Sequence, residues 1–432
     1  GLTVNIHNRD TGVRIIGGTW DRGTAVGSSS MDLHTILCHF ADDVVIAPED
    51  IRSTTVGAKY AVYLAAVTNF KARIPNMSVI SDGLHITGPA SRGEISLLSG
   101  KTGDDMFALC GQDYPSYMAS GGDITNIHLK TMLPKGSLAG YKILAGGFRV
   151  DNIKCDYSAG TTGSYAAWVG ADENYAATMG GTYGDIDLGT IAVSSGGELV
   201  KLVDATIDSL TVKPSGMSTG TSTKVKVMAN AGGVGGTIER LHLEDPVIQS
   251  GQALLVVEGA NNVINLVDVV RPSLNGAANA FSSASGRVKK LRVNGGRIIY
   301  TGNSTPFFGT GGQIDELVFI DTIADVSNAA TSGALVQRSS GVGFGAVHFS
   351  RSTITSKGNS GISLVYQPSN GAVESVIDNA KFVNVKRIIE ATGALTARLT
   401  NPTIDSTQAP FYNSSGAGLI TGSIAALTTA TQ

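Results

Sequence analysis

The sequence is short of charge, cysteine and long apolar runs, and each shortage closes a class. Only 16% of residues are charged and the formal net charge is −3. No basic excess exists to neutralise a phosphate backbone, so no nucleic-acid partner is expected. Cys38, Cys110 and Cys155 are odd in number and form no Cys-x-x-Cys pair. They predict buried thiols rather than a disulfide framework or a zinc site. No apolar run reaches the roughly 18 residues of a membrane span, so none is expected. His34, His39 and His128 show no metal-ligand spacing, and neither a metal nor another cofactor is expected. The opening Gly1-Leu2-Thr3-Val4-Asn5-Ile6 lacks a signal-peptide pattern. A cloning scar or an excised fragment would explain such a start, and with the latter a missing N-terminal attachment region is expected.

What is present is glycine, 55 residues against 12 prolines, with frequent Ser, Thr, Asn and Val. Helical Glu/Lys-rich stretches are missing, so many short strands joined by tight turns are expected. A phrase recurs: an aliphatic residue, two variable ones, then aliphatic, polar, aliphatic. It reads Ile207-Asp208-Ser209-Leu210-Thr211-Val212, Ile238-Glu239-Arg240-Leu241-His242-Leu243 and Val263-Ile264-Asn265-Leu266-Val267-Asp268. It returns as Val288-Lys289-Lys290-Leu291-Arg292-Val293 and Ile314-Asp315-Glu316-Leu317-Val318-Phe319, with looser copies from Phe344, Val373 and Leu395.

One copy cannot bury its own apolar side, but a stack of copies makes a continuous core. The strands are β-branched, alternate with period two, and are punctuated by Gly, Asn or Ser. The expected fold is therefore all-β: a single right-handed parallel β-helix of roughly 22–30-residue coils over residues 1–405, with 406–432 a cap or tail. Further strands are expected at 35–40, 44–46, 61–64, 84–87, 107–109 and 142–144. Segments 111–122 and 172–181 exceed the coil length and carry Tyr114, Tyr117 and Tyr175. They predict surface loops, where binding usually lives.

Acidic chemistry concentrates at residues 80–110. Ser81-Asp82-Gly83 and Thr102-Gly103-Asp104-Asp105 lie one coil apart, with Asp82 22 residues before Asp104 and 23 before Asp105. Equivalent positions of stacked coils sit about 4.8 Å apart. Three carboxylates so close cannot all ionise comfortably, and one raised pKa is the condition for a general acid at neutral pH. Hydrolysis of a glycosidic bond needs such an acid beside an ionised carboxylate. Asp and Gly also favour turns for local reasons, and clustered carboxylates also suit Ca²⁺; both readings stand beside the catalytic one. Following the column by coil length adds Lys59 and Tyr60 before Asp82, then Tyr141, Lys142 and Trp168 after Asp105. Aromatic faces and cations would make it a sugar groove. Strand alternation turns His85 outward if Leu84 points in, near the carboxylates.

The two acidic motifs resemble the polygalacturonase-like branch of the pectate-lyase superfamily, where an Asp before Gly and an Asp-Asp pair on the next coil supply acid and water-activating base. With the Gly17-Gly18-Thr19-Trp20-Asp21 opening, residues 13–150 resemble phage tailspike depolymerases. That resemblance implies a homotrimer attached to the virion tail that digests a bacterial surface polysaccharide outside the cell. Where the polygalacturonases carry Gly-His-Gly, this chain reads Ala139-Gly140-Tyr141-Lys142, and Arg149-Val150-Asp151 is the nearest approach to their Arg-x-Lys. A Tyr141–Lys142 pair would instead serve a lyase, as base and as cation against a uronate carboxylate. A non-catalytic adhesin or receptor-binding spike fits the repeat equally well.

Overall fold

The computed structural model describes residues 2–4, 9–23, 34–53, 58–112, 120–171, 181–218, 223–229, 233–249, 251–276, 280–283, 285–301, 307–310, 313–329, 334–337, 345–358, 361–367, 372–416 and 418–429. These residues are all-β, with no α-helix among them, and make about 13 turns of parallel-strand solenoid. None therefore offers a helix long and apolar enough to cross a membrane. Most of segments 111–122 and 172–181, including Tyr114, Tyr117 and Tyr175, and also Phe344, lie outside the described residues. The chain divides into two compact units: Gly1–Ser222 with Met228–Ile238, and Thr223–Val227 with Glu239–Gln432.

The second unit shows why the repeat folds this way. Strand Val263–Val270 pairs in parallel with Arg287–Asn294, which pairs with Gln313–Ile320. The ladder brings Ile264, Val288 and Ile314 together, then Val267, Leu291 and Leu317, then Val269, Val293 and Phe319; all nine are buried. The sequence reading placed the third copy one residue early, at Val263. In the ladder Val263 is level with Arg287, and the copy starts at Ile264. Period-two alternation leaves no other choice, because a one-residue slip would turn the whole apolar set outward.

Aromatic residues fill part of this core. Phe281 stacks on Phe308, and Phe319 on Phe349, with centroids 5.1 and 5.3 Å apart. Each buried ring contributes about 1.5–3 kcal/mol by leaving water. A second ladder of eight strands runs from Val247–Ile248 to Ala426–Thr429. The expected cap or tail at 406–432 contributes a further rung: Gly418–Ser423 pairs with Leu395–Thr400, and Ala426–Thr429 with Thr403–Ser406.

At one corner the chain enters the left-handed region on every rung. Asp245, Arg271, Asp321, Arg351, Asn379 and Asn401 all have φ between 44 and 51°. Each donates its N–H to the rung above: Asp321 to Ser350, Arg351 to Asp378, Asn379 to Thr400. Asn and Asp tolerate this conformation better than other non-glycine residues. The Arg at two positions stack as ion pairs on the neighbouring rung, Arg271 with Asp245 and Arg351 with Asp321.

The first unit uses the same device at Asp43, Asn69, Arg92, Asn126 and Asn152, with φ between 51 and 59°. The corner falls inside long strands, such as Ile36–Ala47, Val62–Ile74 and Ala90–Thr102. The short strands Leu84–Thr87, Asp105–Cys110, Ala139–Leu144, Ala167–Gly170 and Val200–Val203 stack in sequence beside them. The three cysteines are free and buried.

Candidate active site

Register fixes which side chains share a row. Leu84, Phe107, Tyr141, Ala167 and Val200 are partners along the short-strand ladder, and all are fully buried. Two positions earlier on each rung lies a row of Asp82, Asp105, Ala139 and Tyr165, with Tyr60 preceding them. The backbone confirms the stacking: Ala61 N–H donates to the Asp82 carbonyl and Gly83 N–H to the Asp105 carbonyl. One position after the apolar row, on the opposite face by alternation, lie Tyr63, His85, Ala108, Lys142, Trp168 and Lys201.

The glycines of both acidic motifs are there for space. A Cβ on Gly83 would stand 2.5 Å from the Met106 carbonyl oxygen, and one on Gly103 only 2.0 Å from that of Ile80. Neighbouring rungs approach too closely for a side chain at either place. Thr102 Oγ1 donates to the Asp104 carbonyl, 2.8 Å, closing the turn that presents Asp104 and Asp105. The motifs are thus turns and carriers of carboxylates at once.

Asp82, Asp104 and Asp105 each place one carboxylate oxygen within 4.8 Å of the others. Asp82 and Asp105 are 5% and 2% exposed, while Asp104 is the more open member. Burial pushes the Asp105 carboxyl well above the usual carboxylate range. The Lys142 ammonium opposes this, Asp82 and Asp104 add to it, and a hydrogen bond from Tyr165 pulls the other way. Tyr165 OH donates to Asp105 Oδ1 at 2.8 Å, and Lys142 Nζ stands 3.8 Å from Asp105 Oδ2. A Ca²⁺ ion takes about six to eight oxygen ligands. The three carboxyl groups would supply part of such a shell.

The aromatic residues do not form an open groove. Tyr60 is buried, with His85 stacked on it at 3.8 Å and 10° and His34 at 4.9 Å and 18°. His85 meets Asp82 across the bend at residues 81–83 that precedes its strand; it is 1% exposed, and its Nδ1 stands 2.7 Å from Asp82 Oδ2. Trp168 is buried too; Lys201 Nζ lies 3.9 Å from its ring centroid and Lys142 Nζ 5.8 Å. Expected as sugar platforms, these rings are occupied by protein. Tyr141 departs most from expectation: its side chain is fully buried on the inward row, edge-on to Phe107. Counting by coil length put it beside Asp105, whereas the ladder puts Ala139 there. Lys142 and Lys59 are half-buried.

Tyr165 and His34 escaped the sequence reading. Tyr165 is reached from Ala139 by a 26-residue step, the same step that links Lys142 to Trp168, so the Trp168 register carried the signal. Nothing local marked His34, which sits on the Tyr60 row and accepts a hydrogen bond at Nδ1 from the Tyr60 N–H. Burial holds its pKa down to about 3, with the charges of His85, Arg22 and Lys59 adding to the effect. No protein-family model, no curated protein and no solved structure matches the chain.

Proposed function

We propose that the chain is a polysaccharide depolymerase, and that Asp82, Asp104 and Asp105 hydrolyse glycosidic bonds of a bacterial capsular or other surface polysaccharide. The observation that carries this reading is the carboxylate trio within 4.8 Å, one member of which burial holds toward its protonated form. An acid and a base side by side at neutral pH are the two requirements of glycoside hydrolysis. Asp105 gives its proton to the glycosidic oxygen as the bond to the anomeric carbon breaks. Water adds at that carbon and leaves its proton on an ionised carboxylate, so one water is consumed per cut. Asp104 is the more open of the three. Assembly as a homotrimer and attachment to a virion tail through an N-terminal region follow from the tailspike resemblance and belong to the proposal.

Two rivals remain in view. A lyase was to use Tyr141 as its base, and that side chain lies in the core. Lys142, beside Asp105, survives as a cation for a uronate carboxylate. A non-catalytic binding spike is favoured by the near-complete burial of Asp82 and Asp105.

The test is mass spectrometry of oligosaccharides released from a panel of purified bacterial capsular polysaccharides, comparing the protein with Asp105→Asn. Products heavier by one water per cut, lost in the variant, support hydrolysis. An unsaturated terminal residue overturns hydrolysis in favour of elimination. No release from any polysaccharide in the panel, with binding retained, overturns the enzyme reading in favour of the spike.

A further inference from the structure

Asp82 and Asp105 share a row but not an environment. Asp105 meets a phenol and an ammonium: Tyr165 OH at Oδ1, 2.8 Å, and Lys142 Nζ at Oδ2, 3.8 Å. Asp82 meets an imidazole, His85 Nδ1 at Oδ2, 2.7 Å. The His85 ring cannot swing away, since it lies flat on Tyr60 and edge-on to Tyr63, with centroids 3.8 and 5.7 Å apart. Tyr165 is likewise braced, edge-on to Trp168 at 5.2 Å.

These contacts are not equivalent for a proton. A neutral carboxyl accepts hydrogen bonds at its carbonyl oxygen, so the Tyr165 hydroxyl at Oδ1 leaves Oδ2 as the hydroxyl oxygen. An imidazole N–H directed at a carboxylate favours its ionised form. An ionised Asp82 then disfavours ionisation of Asp105, as does the carboxylate of Asp104 beside it. We infer that His85 and Tyr165 are positioning residues that divide the two acid–base roles, His85 holding Asp82 as the ionised base and Tyr165 directing the proton of Asp105 onto Oδ2. The raised titration of Asp105 agrees with this division. The use of the pair in cleavage rests on the hydrolase reading, whereas the protonation pattern belongs to the resting protein and is measured without a substrate.

The experiment is carbon-13 NMR of the whole chain labelled at the aspartate carboxyl carbons, titrated with pH. Asp82→Asn and Asp105→Asn assign the two signals. At pH 7 the Asp82 carbon is expected at a carboxylate shift and the Asp105 carbon at a carboxylic-acid shift. Tyr165→Phe removes a donor to ionised Asp105 and raises its midpoint by about one pH unit. His85→Leu lets Asp82 take up a proton, and with that charge gone the Asp105 midpoint falls by a similar amount. His85→Gln serves if the Leu variant does not fold; it keeps a donor and leaves the midpoint closer to that of the unmodified protein. Opposite movements are what a purely structural role for these two residues does not produce. An ionised Asp105 beside a protonated Asp82 at pH 7, or shifts in the same direction in both variants, overturns the assignment. The expected titrations together with no oligosaccharide release would leave the division of protons standing and remove the hydrolase.

Discussion

His85 Nδ1 stands 2.7 Å from Asp82 Oδ2, and both side chains are almost wholly removed from water. The contact thus joins two polar groups in a buried setting. His85→Leu leaves a buried carboxylate short of its donor and is expected to cost about 3–5 kcal/mol. The double variant Asp82→Leu/His85→Leu is expected to recover part of that, since an apolar pair needs no such partner. Denaturant unfolding of the single and double variants checks this. A His85→Leu protein as stable as the unmodified chain would show the contact to be idle.

Asp105 gives stability an unusual slope with pH. Its folded carboxyl titrates well above an unfolded one, chiefly through burial. From about pH 4 upward the folded state holds a proton that the unfolded state has lost, so this group's contribution declines as pH rises through the folded value. Asp105→Asn is expected to abolish that decline and to be the more stable protein on the alkaline side. Parallel melting curves across pH 4–9 for the two proteins would refute it.

His34 acts at the other end of the scale. Its pKa is held down to about 3 by burial, and its Nδ1 accepts a hydrogen bond from Tyr60 that protonation would destroy. The folded state stays neutral while the unfolded state charges below about pH 6.5. Stability is fully present above that value and lost as pH falls toward 3, by roughly 4–5 kcal/mol at most. His34→Gln is expected to flatten this limb in unfolding measurements between pH 7 and 4. An unchanged acid limb would place the loss elsewhere.

At the corners, conformation should outweigh charge. Asn379 holds a φ of 47°, and Asn379→Val puts a β-branched residue there at a cost of about 1–2 kcal/mol. Arg351 and Asp321 form an ion pair with both side chains about half exposed. Arg351→Ala is expected to cost less than about 1 kcal/mol. Thermal midpoints rank the two, and the reverse order would count against the corner argument.

The apolar repeat was legible because its signal is redundant: Ile264, Val288 and Ile314 say the same thing on successive rungs. Yet even there the third copy was read one residue early. The acidic motifs were legible because no excursion separates Asp82 from Asp105, and simple counting gave their 23-residue offset. Past Asp105 a long segment intervenes before Ala139. Counting then selected inward-facing Tyr141 and missed Tyr165. The faces taken up on Tyr60 and Trp168 were hidden for another reason. Spacing tells which rung a ring occupies, but not that His85 or Lys201 will lie across it.

That intervening segment has a base worth following. Gly122 N–H donates to the Gly111 carbonyl at 3.0 Å, and Gly111 N–H donates to Leu144 on the next rung. Residues 111 and 122, on either side of residues 113–119, are thus joined directly. Its length is therefore decoupled from register: added or removed residues alter the closure entropy slowly, by about 0.6 kcal/mol per doubling. Asp82 and Asp105 on one side and Tyr165 on the other take their register from the ladder itself.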